Sequence, residues 1–276
     1  MKKFTVDEKV KLKIFTDNVY PQGSFAFRRL LRDKDVRVNG VRTGTNALLS
    51  AGDEVTYFTT AREESVPFFE KVYEDENILV ADKYAGVNSE ALFYALSREG
   101  ELYFIHRLDR NTAGLIAFAK NKGAEDALLR AFRRRTVQKI YLAVCFHRFE
   151  KSAAVLSDYL VKDERAASVR VSAHPLKGAE KIITEYRVLE GGEEFSLVEI
   201  TLHSGKTHQI RAHMAFIGNP VAGDEKYGDE SLNRKYSVKR QLLVAKYLQI
   251  EDDGVLSYLR NKKFCSRFSP ELQAKA

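Results

Sequence analysis

The pattern of hydrophobic and polar positions begins with a short amphipathic helix. Its apolar residues recur at positions i, i+3 and i+4, and they are Phe27, Leu30 and Leu31. This spacing predicts a helix over residues 24–33 with Ser24 as its N-cap. The opposite face carries Arg28, Arg29 and Arg32, so the outer surface of the predicted helix is basic.

Strand-like alternation follows this helix. Val36 and Val38 alternate with charged residues, and Asn39-Gly40 supplies the two positive-φ positions of a tight hairpin turn. A last strand is predicted over residues 55–58. A basic helix with a small twisted sheet is a compact unit, so we expect a small N-terminal α/β domain.

A polar, charged segment over residues 59–67 ends in a proline. Such composition is typical of a linker between domains. We therefore predict one domain over residues 1–60 and a larger one over residues 61–276.

Strand patterns outnumber helix patterns in the larger region. Strands are predicted over 78–81, 140–146, 195–202 and 240–250. Helices are predicted over 124–135 and over 207–217, the second with Thr207 as its N-cap. The pattern thus indicates a two-domain α+β protein.

Charge favours a polyanionic partner. The chain of 276 residues has a formal net charge of +7 and a sequence pI near 9.2. Residues 1–60 hold 11 Lys and Arg against 7 Asp and Glu, a net charge of +4. A small basic recognition module would show this asymmetry, although a basic soluble surface would show it too.

Several protein classes are disfavoured. The chain has neither an apolar run of the ~18 residues that span a bilayer nor an apolar region near its start, so we expect a soluble, unprocessed protein without membrane contact. Its 2 cysteines are far apart, which favours a reducing, cytoplasmic setting over a disulfide framework.

Sequence features for cofactors are also missing. Gly205 to Thr207 read Gly-Lys-Thr, but a phosphate-binding loop needs a glycine where this chain has Ile200. His203, His208 and His213 are five residues apart, which does not place them on one helical face as zinc ligands. We predict no metal and no organic cofactor.

One loop concentrates charge inside an apolar stretch. It spans residues 106–112, where Arg107 and Arg110 flank Asp109. Neighbouring cations keep a carboxylate ionised, and an ionised carboxylate can act as a nucleophile or base. Local spacing alone nevertheless favours a turn cap or a salt bridge. His208 and Arg211 would lie together at the first turn of the later helix.

Three ordered motifs resemble a known family. They are HRLDRNTAGLIAFAK, QKIYLAV and LHSGKTHQIRAHMAFIGNPVAGDEKYG. In this order they resemble RluA-type RNA pseudouridine synthases, from about Val72 to Ile250. The resemblance implies a catalytic domain with a mostly antiparallel mixed sheet flanked by helices. It also implies cofactor-free isomerisation of uridine to pseudouridine in RNA.

The resemblance assigns site residues. Asp109 would be the catalytic carboxylate, Arg211 would pair with it, and Tyr141 would lie against the flipped uracil as a proton acceptor. Arg107 would enter the RNA stack that the uridine leaves. Further substrate contacts would come from His106, Leu108, Lys206, Thr207, His208 and Gln209.

The N-terminal region has a resemblance of its own. Residues 11–58 resemble a small RNA-binding domain shared by a ribosomal small-subunit protein and some tRNA synthetases. Arg28, Arg29 and Arg32 would then contact phosphates. This added domain favours large-subunit ribosomal RNA as the substrate, with transfer RNA as an alternative, and the family implies a monomer.

The chain departs from the family pattern at three positions, namely Tyr84, Ala113 and Val244, where proline, serine and histidine are usual. These departures leave the four assigned residues intact and suggest a divergent branch. Two other functions use the same residues. One is a non-catalytic RNA-binding or RNA-folding protein with the synthase fold, and the other is a hydrolase that would release free uracil.

Overall fold

A computed structural model describes residues 1–60, 68–163 and 168–271. The elements of the first range are β1 (Lys2–Thr5), β2 (Val10–Lys11), α1 (Leu12–Val19), α2 (Pro21–Arg32), β3 (Val36–Val38), β4 (Val41–Thr43), β5 (Leu48–Leu49) and β6 (Glu54–Tyr57). Four strands form an antiparallel sheet in the order β1-β6-β3-β4. Leu12, Leu30, Val55 and Tyr57 belong to a separate hydrophobic cluster there.

The predicted hairpin is confirmed. Asn39 and Gly40 have φ of 51° and 78°, and they join β3 to β4 with Val38 opposite Val41. Asn and Gly tolerate these left-handed conformations, which match the twist of the flanking strands.

The predicted start of the basic helix was wrong. Helix α2 begins at Pro21, so Ser24 lies inside the helix rather than at its N-cap. Proline is favoured in the first turn because its φ is already helical and the missing N–H has no intrahelical partner there. Helix α1, which precedes it, was not predicted.

The larger region contains one extended sheet. Its elements are β7 (Phe69–Glu74), β8 (Ile78–Lys83), α3 (Ser89–Leu96), β9 (Tyr103–Phe104), β10 (Ala113–Ala119), α4 (Lys122–Arg134), β11 (Val137–Phe146), β12 (Ala153–Asp163), β13 (Ser168–Ser172), β14 (Glu180–Gly191), β15 (Phe195–Leu202), α5 (Gln209–Phe216), α6 (Glu230–Lys235), β16 (Leu243–Ile250) and β17 (Lys263–Cys265). The main strand order is β13-β12-β14-β15-β11-β16-β10-β8-β7. β9 pairs with β10, and β17 pairs with β16.

The sheet is mixed, as predicted. β10 and β16 pair in parallel, whereas the other pairings between described strands are antiparallel. Helix α4 packs on one face, and α3 and α5 pack on the other. The α+β class with a mostly antiparallel mixed sheet flanked by helices is therefore confirmed.

The parallel pairing depends on one glycine. Gly114 has a φ of 112°, and a Cβ built there would lie 2.3 Å from the carbonyl oxygen of Ala245. A side chain at this position would therefore separate β10 from β16. The neighbouring pair is Ala113 opposite Val244, so two of the three departures from the family pattern face each other across these strands.

The third departure lies elsewhere. Tyr84 donates a hydrogen bond of 3.2 Å to Glu70, and its ring centroid is 4.8 Å from that of Phe268 in an edge contact. A proline would lack this hydroxyl and aromatic ring. The described C-terminal segment thus packs against the strand end that carries Tyr84.

Helix α5 begins later than predicted. Its N-cap is His208, in a left-handed conformation with φ of 54°, and its first residue is Gln209. The Gln209 side chain accepts a hydrogen bond from the Lys206 amide, 3.1 Å away, and so braces the preceding turn. Thr207 as N-cap was therefore wrong.

The two regions meet at one helix. Helices α1 and α2 lie against α3, which follows the loop after β8. None of the helices in the described ranges is long and apolar enough to cross a membrane.

Candidate active site

A cleft of about 470 Å³ opens where the loop before β10 meets β11 and the start of α5. All ten residues predicted as catalytic or substrate-binding line it: His106, Arg107, Leu108, Asp109, Tyr141, Lys206, Thr207, His208, Gln209 and Arg211. The structure therefore brings together residues from three separate motifs.

Asp109 and Arg211 form the central pair. The Nη1 atom of Arg211 donates a hydrogen bond of 2.9 Å to Oδ2 of Asp109. The Asp109 side chain keeps 19% of its surface exposed, whereas Arg211 retains only 10%. The carboxylate thus has a fixed cation on one side and an opening to the cleft.

Asp224 binds the two nitrogens of the Arg211 guanidinium that do not bond to Asp109. Its two oxygens accept hydrogen bonds from Nε and Nη2 of Arg211, at 2.7 Å and 2.9 Å. Burial opposes ionisation of Asp224, but the Arg211 bonds and the amides of Lys226 and Tyr227 lower its pKa below the usual value. Burial likewise opposes the charge of Arg211, yet its two carboxylate partners raise its pKa. Arg211 and Asp224 are therefore both charged at neutral pH.

The loop that carries Asp109 is braced on both sides. Leu108 exchanges hydrogen bonds with the Ser89 hydroxyl through its amide and carbonyl, at 3.0 Å and 2.9 Å. On the other side, the fully buried Lys83 ammonium donates to the carbonyls of Arg110 and Val87, at 3.2 Å and 2.9 Å. Burial lowers the pKa of Lys83 to about 7. These contacts fix the backbone around Asp109.

Tyr141 lies on β11 at an irregular point of the sheet. The pairing of β11 with β16 shifts register between Ile140 and Tyr141. Bulges of this kind redirect side chains and are frequent beside active sites. Burial, reinforced by the charge of Asp109, raises the pKa of Tyr141, so its phenol is protonated at neutral pH.

His208 links the Asp109 pair to Tyr227. The Tyr227 hydroxyl accepts a hydrogen bond from the Val169 amide at 2.9 Å and lies 2.8 Å from Nδ1 of His208. A neutral imidazole carries its proton on one ring nitrogen, and Nε2 of His208 lies 3.9 Å from Oδ2 of Asp109. Burial lowers the pKa of His208 and favours this neutral form, although Asp109 opposes the shift.

Two residues predicted to contact the substrate form hydrogen bonds within the protein. His106 accepts a hydrogen bond from the Ala117 amide at 3.0 Å, and burial lowers its pKa to about 3. The buried Gln209 side chain bonds to Ser204 and Thr184 as well as to the Lys206 amide. These residues shape the cleft wall, and their contact with a substrate stays a prediction.

Arg107 lies at the exposed rim of the cleft. Its guanidinium is 3.0 Å from Glu90 on α3, and 61% of its side-chain surface is exposed. The planar cation is thus available beside Asp109 without being buried.

The three histidines spaced by five residues do not converge. His213 bonds to Thr184 and Asp158, each at 2.9 Å, while His203 lies 2.8 Å from Glu185. His208 faces the cleft as described above. Each ring therefore has its own polar partner.

The predicted basic residues of α2 do not line the cleft. Arg28 is exposed, and its charge contributes to lowering the pKa of Arg110 in the Asp109 loop, after the larger effect of burial. Arg32 pairs with Asp33 at 2.8 Å. The α2 surface thus lies close enough to influence the loop.

Sequence reasoning missed part of the site. Asp224 and Tyr227 had no predicted role in the site, whereas they contact Arg211 and His208. Arg135 and Lys139 also line the cleft and had no predicted role. For Lys139 a signal was present, since it belongs to the same QKIYLAV motif as Tyr141.

Comparisons with known proteins agree with this arrangement. A family model described as RNA pseudouridylate synthase matches residues 77–216. The ribosomal large subunit pseudouridine synthase C of Vibrio cholerae is 32% identical over 250 residues, covering 80% of this chain and 78% of that protein. Its namesake in Escherichia coli is 33% identical over 236 residues, covering 75% and 72%.

A solved structure gives the same result. The human RNA pseudouridylate synthase domain containing 1 is similar with a TM-score of 0.61 and 27% identity, covering 75% of this chain and 91% of that one. The fold and the carboxylate–arginine cleft thus define an RNA-modifying isomerase. The chain belongs to the RNA pseudouridine synthase family, and the predicted family resemblance is confirmed.

Proposed function

We propose that this protein converts uridines of large-subunit ribosomal RNA to pseudouridine with Asp109 as the catalytic carboxylate. The observation that supports the proposal is the hydrogen-bonded series Asp109–Arg211–Asp224, which orients one partly exposed carboxylate in a cleft. The ribosomal substrate is favoured by the names of the bacterial relatives.

The reaction requires a flipped nucleotide. A uridine within a base stack cannot reach Asp109, so it must rotate out at a cost of a few kcal/mol. Arg107, exposed at the rim, is placed to fill the gap because a planar guanidinium stacks as a base does.

The chemistry then exchanges one glycosidic bond for another. The N1–C1′ bond breaks, the uracil rotates, and C5 forms the new bond to C1′. The hydrogen of C5 leaves as a proton and N1 gains a proton, so the product is an isomer of uridine. Asp109 would attack C1′, attack C6, or assist a route through a glycal. Tyr141 would contact the uracil, and its protonated phenol would accept the C5 proton only by passing its own onward.

The first 60 residues would form an RNA-binding domain. Their separate sheet and hydrophobic cluster support a domain boundary after residue 60. The exposed Arg28 supports phosphate contacts on α2. Such contacts would make RNA binding weaken steeply with salt.

The test is tritium release from RNA labelled at uridine C5. We expect release from ribosomal RNA, loss of release in Asp109→Asn with RNA binding retained, and normal release in Asp253→Asn as an exposed control. Release from transfer RNA alone would overturn the proposed substrate. Full activity of Asp109→Asn would overturn the role of Asp109, and free uracil would identify a hydrolase.

A further inference from the structure

Most cations around the cleft already have carboxylate partners. Arg211 pairs with Asp109 and Asp224, Arg107 with Glu90, and Lys206 with Glu180. These charges are balanced within the protein.

Lys139 and Arg135 differ from these residues. Both line the cleft, and within the described ranges neither has a carboxylate within ion-pair distance. Arg135 follows α4 in a left-handed conformation with φ of 61°. Its charge acts on Lys139, so the two cations are neighbours.

Lys139 is partly exposed and lines the cleft. Its Nζ lies 5.5 Å from the ring centroid of Phe132. Gly205 also adjoins the ammonium, since an added Cβ there would lie 3.2 Å from Nζ. The missing side chain at position 205 leaves the ammonium accessible.

A half-buried ammonium beside a second cation is unfavourable in the free protein. Burial, followed by the repulsion of Arg135, lowers the pKa of Lys139. A bound anion would pair with both charges and remove this cost. The cleft that holds the two cations also holds Asp109, so the anion should be part of the molecule that reacts there.

We propose that Lys139 and Arg135 form a phosphodiester-binding subsite that holds the RNA backbone beside the uridine in the cleft. The inference rests on the proposed function and extends it. RNA has a phosphodiester on each side of a flipped nucleotide. A free phosphate ion would offer the two cations the same negative charge but would not carry a base into the cleft.

The experiment measures RNA binding as a function of KCl with a large-subunit ribosomal RNA transcript. Each lost phosphate contact should lower the slope of log affinity against log salt by roughly 0.7–0.9. We expect this decrease, with about tenfold weaker binding, in Lys139→Gln and in Arg135→Gln. Arg135→Lys should keep the wild-type slope because it preserves the charge.

The matched control is Arg134→Gln. It removes one charge from the same end of α4, but Arg134 does not line the cleft and lies 3.9 Å from Asp253. Its slope should equal that of the wild type. Circular dichroism would show that every variant is folded.

Two outcomes would overturn the subsite. One is an unchanged slope in folded Lys139→Gln. The other concerns competition between inorganic phosphate and RNA at constant ionic strength. If Lys139→Gln abolished this competition but bound RNA normally, the two cations would form a site for free phosphate. Tritium release is measured in parallel as the test of the proposed function. The salt dependence of RNA binding does not require turnover, so the subsite and the proposed function can fail independently.

Discussion

Asp224 binds two nitrogens of the Arg211 guanidinium and leaves Nη1 to Asp109, 2.9 Å away. The side chain of Asp224 is completely buried. Since Arg211 cannot rotate without breaking both bonds, the position of the proposed catalytic carboxylate depends on a residue that does not line the cleft.

Replacing Asp224 should therefore affect both stability and turnover. Asp224→Asn removes the charge that balances buried Arg211, and we expect a loss of about 3 kcal/mol in the free energy of unfolding. Turnover should fall because Arg211 loses its orientation. Urea unfolding and tritium release measure the two effects. Glu230→Gln, at a side chain that is 85% exposed, is the control; an equal change there would contradict the role of Asp224.

His106 should make stability depend on pH. Its pKa is about 3 in the folded protein and about 6.5 when unfolded, so the unfolded chain binds the proton more strongly. This contribution to stability is complete above pH 6.5 and declines as the pH falls towards 3, by up to ~1.4 kcal/mol per pH unit. His106→Gln, which keeps an acceptor for the Ala117 amide, should lose this component. Urea titrations at pH 7 and pH 5 measure the unfolding free energy of the wild type and of His106→Gln. An equal change with pH in the two proteins would show that His106 is not the group responsible.

Gly114 should tolerate no side chain. In Gly114→Ala the new Cβ would meet the Ala245 carbonyl at 2.3 Å, so we expect unfolding to become easier by at least about 3 kcal/mol. Gly178→Ala has a similar positive φ, of 76°, but no atom within 4 Å, and should cost only about 1 kcal/mol. Thermal unfolding of both variants gives the comparison. A similar loss of stability in the two variants would contradict this prediction. It would show that position 114 requires glycine because of its positive φ and not because of the close contact between β10 and β16.

Arg107 should matter for catalysis and hardly for stability. Its ion pair with Glu90 is exposed, so Arg107→Ala should change the unfolding free energy by less than about 0.5 kcal/mol. Without the Arg107 guanidinium, nothing would fill the gap that the flipped uridine leaves in the stack. We therefore expect kcat/KM to fall about 100-fold, since this corresponds to the few kcal/mol that base flipping costs. Arg148→Ala, which breaks the exposed pair with Glu193, is the control. Unchanged kcat/KM in Arg107→Ala would exclude the proposed insertion.

The sequence supported those features that depend on local chemistry or on recognisable motifs. Asn39-Gly40 predicted its hairpin because few residues accept both positive φ values. The ordered motifs placed Asp109, Tyr141 and Arg211 in one site although they are far apart in the chain.

Features that depend on tertiary contacts were not predictable in this way. The left-handed His208 is held by Tyr227, nineteen residues later. Lys139 and Arg135 look like ordinary surface cations in the sequence, since a sequence shows charges but not which of them lack partners. Likewise, the sequence does not show that Asp224 is buried and bonded to Arg211.

The central place of β16 affects how the protein is made. Without this strand, the sheet would separate into two parts. One part contains β10, and the loop before β10 carries Asp109. The other part contains β11, which carries Tyr141, and its neighbouring strands contact α5. During synthesis β16 leaves the ribosome after both parts, because it begins only at Leu243. The cleft can therefore be complete only after this late strand has paired with both β10 and β11.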